Sequence, residues 1–176
     1  MTPAPVATTP FWARVLATRA PRATVLIRLA VGVVFATEGL QKFLHPDVLG
    51  AGRFAKIGLP APELLGPFVG AVELAGGSLV LAGLLTRVAS LPLLIDMLVA
   101  LASTKVPVLL GRGYGGFAPP AVPRHGFWSM MHEARTDLAM LLGAAFLLAV
   151  GAGAWSCDAR LVERIGAAKG RRGGGA

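Results

Sequence analysis

The stretch Thr24–Phe43, TVLIRLAVGVVFATEGLQKF, limits what this chain can become more than any other. It is about 20 residues of mainly apolar sequence, enough to cross a hydrocarbon layer of roughly 30 Å as a helix. It nevertheless carries Arg28, Glu38 and Lys42. At about 100° per residue, Arg28, Gly32, Phe35, Glu38, Gly39 and Lys42 share a stripe roughly 120° wide. Leu26, Leu29, Ala30, Val33, Val34 and Ala36 form an opposite face of bare hydrocarbon. The pattern is that of a membrane helix with lipid on one flank and polar protein on the other. A charge at bilayer depth costs at least ~2.5–3.5 kcal/mol, so such groups pair, line a cavity or lose their charge.

Composition points the same way. Of 176 residues, 55% are hydrophobic and 15% charged, and the mean hydropathy is +0.67. These values belong to integral membrane proteins rather than to water-soluble cores. The net charge of +8 raises nucleic acid as a partner. However, the basic residues gather before the first apolar run (Arg14, Arg19, Arg22) and after the last (Arg160, Arg164, Lys169, Arg171, Arg172). That is what the positive-inside rule asks of cytoplasmic ends, and no nucleic-acid partner is expected. A single cysteine, Cys157, excludes an intrachain disulfide and any thiolate metal cluster. The N-terminus lacks the short apolar core and small-residue cleavage site of a secretory signal, so the first helix is expected to remain as the first span.

Three segments follow from the chain order. Residues 1–23 form an N-terminal arm, disordered over 1–10 and a candidate interfacial helix over 11–23. Residues 24–160 hold four apolar runs, at 24–43, 64–84, 88–110 and 134–155, which predict an all-α fold, a four-helix transmembrane bundle. Residues 161–176 are a basic, glycine-rich cytoplasmic tail on which no structure is imposed. His45-Pro46 ends the first run, and the connector to Glu63 reads as an amphipathic turn at the membrane surface. Gly111–Met131 reads as a loop whose Tyr114, Phe117, Phe127 and Trp128 favour the headgroup level. Gly66, Gly70, Glu73 and Gly77 share one helix face, and Ala139–Gly143 is a second small-residue pair; both let helix backbones approach closely in lipid.

Four spans place both termini on one side, and the excess of Lys and Arg puts that side in the cytoplasm. Depth then follows from about 1.5 Å per residue. Lys42, Lys105, Arg135 and Asp137 fall near the outer boundary, with Glu38 deeper. Glu73 and Asp96 fall near the midplane, and Arg28 in the inner half. Both signs of charge are therefore expected to meet in the outer half of the bundle, with Glu73 as the floor.

These residues also carry a family resemblance. Arg28, Gly32, Phe35 and the EGLQK stretch ending at Lys42 resemble the first helix of the DoxX family. IGLPAP at Ile57–Pro62 is similar to the family's turn before its second helix. Glu73 with Gly77, then GLLTR at Gly83–Arg87, is similar to its second helix and cytoplasmic turn, and GAGAWSCD at Gly151–Asp158 resembles its closing Ser-x-Asp motif. The resemblance covers about residues 25–160. It departs at Gly151-Ala152-Gly153, where relatives often have Gly-Pro-Gly, and at the aromatic loop Gly111–Met131, which has no family counterpart. The resemblance implies a small four-helix protein of the bacterial inner membrane, in some relatives a subunit of a quinone-reducing enzyme or of a membrane redox complex.

The candidate chemistry lies in that outer cluster. Glu38 and Lys42 stand one helical turn apart and either neutralise each other, tying the helix to Asp137 or Arg135, or border a quinone head-group pocket. In the second case Lys42 donates to a carbonyl oxygen while Glu38 relays a proton, with Glu73 as a further acid. Lys105, Arg135, Asp137 and Asp96 are the candidate ligand-binding residues around them. The bland alternative for Asp96 is a neutral acid bonded to a neighbour's backbone carbonyl. Arg28 is expected to pair with Asp158 or Glu163, or to reach headgroup phosphates. His45, His125 and His132 match no metal-ligand spacing, and no metal is expected. No cofactor is certain; quinone is the candidate, and a partner or that quinone must carry the electrons. The sequence thus supports a membrane component of a quinone-linked redox system, binding a quinone or anchoring a soluble redox partner protein. A non-catalytic scaffold, or less readily a small transporter, is the alternative. Membrane lipids are the certain partners, with homo-oligomerisation open.

Overall fold

A computed structural model of the chain describes residues 15–18 and 20–173. The stretch expected to be disordered and residues 11–14 and 19 of the candidate interfacial helix lie outside the described residues; of the rest of that candidate only Val15 and Leu16 are helical, and Pro21 leads by a turn into α1. Among the described residues the fold is all-helical. Helix α1 is Thr24–Leu44, α2 Ala51–Ile57, α3 Pro62–Ala82, α4 Thr86–Leu110, α5 Phe127–Val150 and α6 Cys157–Gly173.

Helices α1, α3 and α4 are long and apolar enough to cross a membrane. Helix α5 has the length, 24 residues, but Glu133, Arg135 and Asp137 lie in its first turns. The structure therefore shows three apolar spans where the sequence predicts four.

Element edges shift for local reasons. Gly83, at φ +65°, ends α3 before the predicted boundary. Helix α5 begins at Phe127, directly after Gly126 at φ +115°, because FWSMMHEA contains no breaker. Phe127 and Trp128 are thus helical rather than part of the loop. The surface connector contains a short helix, α2, and α6 carries the chain as helix through Gly173, where the sequence suggested an unstructured tail.

Two tight helix pairs, α1 with α3 and α4 with α5, make the bundle, and contacts between the pairs are sparser. The α1–α3 seam is glycine on glycine. A Cβ at Gly39 would lie 2.6 Å from the Gly70 carbonyl oxygen, and one at Gly77 would lie 2.8 Å from that of Gly32. In lipid, where the hydrophobic drive is absent, such close backbone approach supplies the packing energy. The buried stripe of α1 is Arg28, Val31, Gly32, Phe35 and Gly39, while Leu26, Leu29 and Val33 face outward.

The pairs meet at the end that carries the short α3–α4 turn. There Val80, Leu93 and Leu147 are fully buried. Arg28, 3% exposed, holds this end together. Its Nε donates to Val80 O (2.9 Å), Nη2 to Leu81 O (2.5 Å), and Nη1 to Trp155 O (2.6 Å) and Ala152 O (3.4 Å). The last carbonyls of a helix have no intrahelical donor and carry its negative dipole end, so a buried guanidinium satisfies both needs. Asp158 does the converse for α4, its carboxylate accepting from Leu85 N (2.7 Å) and Thr86 N (3.1 Å). The expected direct ion pair of Arg28 with Asp158 or Glu163 is therefore replaced by two caps on opposite sides of one turn.

Candidate functional site

Away from that turn the two pairs part around a cavity of about 830 Å³. Ligand pockets commonly occupy 300–1,000 Å³. Its apolar walls come from Phe35 of α1, Val69 and Val72 of α3, and Met97 and Met140 of α4 and α5. Helix α2 closes one side with Arg53, Phe54 and Ile57. The connector between α1 and α3 thus does more than lie on a surface.

The polar groups converge as follows. Lys42 Nζ lies 2.5 Å from Glu73 Oε2, across the α1–α3 seam, off the direction of a regular hydrogen bond. Asp96 of α4 faces Glu73 within side-chain hydrogen-bonding reach and has Lys42 and Asp137 nearby. Carboxylates only accept, so a Glu73–Asp96 hydrogen bond requires a proton on one of them. Asp96 Oδ2 is buried without a regular hydrogen-bond partner among the described residues. Lys105 pairs with Asp137 at 3.2 Å, joining α4 to α5.

Several expectations change here. Lys42 turns to Glu73 rather than to Glu38, because the glycine seam brings α3 directly under it. Glu38 is exposed and reaches the cavity only at its edge. Arg135 is exposed at the rim and donates to the His132 carbonyl of its own helix instead of tying α1. Asp96 meets a carboxyl group rather than only a backbone carbonyl. Lys105 lies outside the main cavity and borders a second one, of about 360 Å³, with Arg53 and Lys56. Of the seven candidates, Glu38, Lys42, Glu73, Asp96, Arg135 and Asp137 line the main cavity. His45, His125 and His132 are exposed.

Ser103 and Thr104 also line the cavity and were missed by sequence reasoning. They sit in a π-helical turn, Leu101–Lys105, that widens α4. Thr104 Oγ1 donates to Ala100 O (2.6 Å). The available signal was Pro107: lacking an N–H, it leaves the carbonyl four residues back unpaired and makes a local change of helix register cheap.

The sequence model of the DoxX family matches residues 23–106, from α1 through the π-helical turn of α4. The membrane protein of Mycobacterium tuberculosis named "Uncharacterized membrane protein Rv3486" is 51% identical over 155 residues, 88% of this chain and 91% of that one. The chain belongs to the DoxX family. A second relative, "Putative oxidoreductase CatD" of Bacillus subtilis, is 33% identical over 84 residues, 47% of this chain and 60% of that one. No solved structure matches. The DoxX match contains Arg28, Lys42, Glu73 and Asp96, whereas Asp137 and the closing GAGAWSCD stretch lie beyond it. Within this DoxX protein, the matched residues therefore build the buried acid–lysine centre and part of its rim, Glu38 and Arg53, and the later helices add Glu133, Arg135 and Asp137 and the Asp158 cap.

Proposed function

We propose that this DoxX protein is the membrane-integral component of a quinone-linked redox system and holds a quinone head group in the cavity between the two helix pairs. One observation carries the reading: a ligand-sized cavity between helices apolar enough to cross a membrane joins apolar walls to a buried lysine, two acids and a carboxyl oxygen without a regular partner among the described residues. In this reading α5 is a fourth span, both termini are cytoplasmic and the membrane is the bacterial inner membrane. The basic residues at 160, 164, 169, 171 and 172 favour that orientation. A bound quinone supplies two-electron chemistry, with electrons delivered by a soluble oxidoreductase. The chain's own side chains bind and handle protons: Lys42 donates to a head-group oxygen, Asp96 Oδ2 accepts from a hydroxyl, and Glu73 holds the proton between them. Glu38, Arg135 and Asp137 connect that centre to the outer edge. The name of the Bacillus relative, an oxidoreductase, supports a redox setting.

Mass spectrometry of small molecules extracted from gently purified protein tests the reading, together with quinone titration of wild type, Asp96→Asn and Glu38→Gln. Quinone should co-extract, and Asp96→Asn should weaken binding more than Glu38→Gln. Phospholipid alone in the extract, with no titratable quinone, would refute it. That outcome favours a docking scaffold, a reading supported by α6, whose exposed Arg160 and Arg164 accompany exposed Leu161, Val162 and Ile165.

A further inference from the structure

The cavity has two rims of opposite character. Where α1, α2 and α5 border it, the exposed lining residues are polar: Glu38, Arg53, Glu133 and Arg135. Where α3 and α4 border it, they are apolar: Phe68 is 60% exposed, Ile95 52% and Val99 46%. A residue that both lines an internal cavity and faces outward marks a place where the cavity reaches the side of the molecule. Helices α3 and α4 are held together near their turn, where a Cβ at Gly76 would meet Leu93 Cδ2 at 3.0 Å. Beyond Pro92 the cavity lies between them. Phe68 follows Leu65 by three residues, with Val69 and Val72 at the next helical steps, and Ile95 and Val99 stand one turn apart on α4. The result is an apolar slot leading from the exposed flank of α3 and α4 to the Lys42–Glu73–Asp96 centre.

We infer that this slot is a lateral portal for a membrane-dissolved amphiphile with one long apolar tail. Its head occupies the acid–lysine centre, and its tail leaves between α3 and α4 across Phe68, Ile95 and Val99. The inference rests on the proposed reading of the cavity as a head-group site and adds the ligand's shape and route. A tail directed out through the polar rim into water would lose roughly fourfold in affinity per methylene, which selects the apolar side. Asp96 Oδ2 has no regular hydrogen-bond partner among the described residues and is placed to accept from a hydroxyl on the head.

The test uses the full chain in lipid nanodiscs and three probes: a tailless naphthoquinone, the same ring with a long isoprenoid tail, and a long-chain alkylphenol. Affinities are referred to the lipid-dissolved concentration. Ile95→Trp and Val99→Trp plug the slot at exposed positions, and Leu29→Trp, on the exposed face of α1, is the control. Wild type should bind tailed and tailless quinone comparably. The plugs should weaken the tailed ring about tenfold or more, as overpacking a passage does, and leave the tailless ring unchanged. Plugs that spare the tailed ligand, plugs that weaken both rings equally, or a wild type that admits only the tailless ring would overturn the portal. If neither quinone binds but the alkylphenol does, and the plugs abolish it, the quinone reading fails and the portal stands. If none of the three binds, both fail.

Discussion

Lys42 and Glu73 meet across the α1–α3 seam 2.5 Å apart, with side chains only 9% and 4% exposed. Glycine makes the meeting possible: a Cβ at Gly70 would lie 3.2 Å from Lys42 Cβ, and a Cβ at Gly39 3.0 Å from Glu73 Cβ. Close backbones therefore decide which acid the lysine finds, and the α1 neighbour, Glu38, is left at the rim.

Glu73→Met leaves the Lys42 ammonium buried without its partner, whereas Lys42→Met leaves a carboxyl group that can hold a proton instead of a charge. Glu73→Met alone should therefore destabilise the protein by about 3–5 kcal/mol, and Lys42→Met combined with Glu73→Met should recover most of that loss. Unfolding in mild detergent measures both; a double variant as unstable as the sum of the singles would show that the two groups do not act as a pair.

Arg28 satisfies four backbone carbonyls from α3 and the stretch before α6. An ammonium on a single point cannot reproduce that fork. Arg28→Lys should therefore fail to restore stability, remaining about 2 kcal/mol or more below wild type, since hydrogen bonds to charged groups contribute about 1.5–3 kcal/mol each. Full stability of Arg28→Lys in thermal melts would contradict the capping role.

Asp158 caps α4 from a distance of 73 and 72 residues in sequence. Asp158→Ala should cost about 1–2 kcal/mol, the usual value of a lost N-terminal cap, and Asp158→Asn about half of it. Limited proteolysis should show the matching change, with cutting at the Gly83–Arg87 turn rising in the order wild type, Asn, Ala.

Glycine substitutions separate seam from surface. Gly39→Ala drives a methyl to 2.6 Å from Gly70 O, so the helices must part, at about 1–3 kcal/mol. Gly166→Ala in α6 meets nothing within 4 Å and should be neutral or stabilise by up to about 1 kcal/mol. Comparable losses at the two positions would argue against close α1–α3 contact.

The resemblance motifs led to the family, and periodicity led to the helices: runs of apolar residues fix which segments are helical because hydrogen bonding within a helix is local. The α1 stripe of Arg28, Gly32, Phe35 and Gly39 was legible in this way, as was the glycine face of α3. Partner choice was not. Whether Lys42 turns to Glu38, Asp137 or Glu73 depends on how closely two helices cross and at what register, quantities set by packing of residues far apart in the chain. For the same reason the Arg28 cap, the Asp158 cap and the π-helical turn before Pro107 emerged only when the helices were assembled. By itself the sequence determined an all-helical membrane protein with ionisable groups set within its apolar helices. Tertiary structure alone decided that the acid–lysine centre opens into a cavity with one polar and one apolar rim, because a cavity is the space that several packed elements fail to fill.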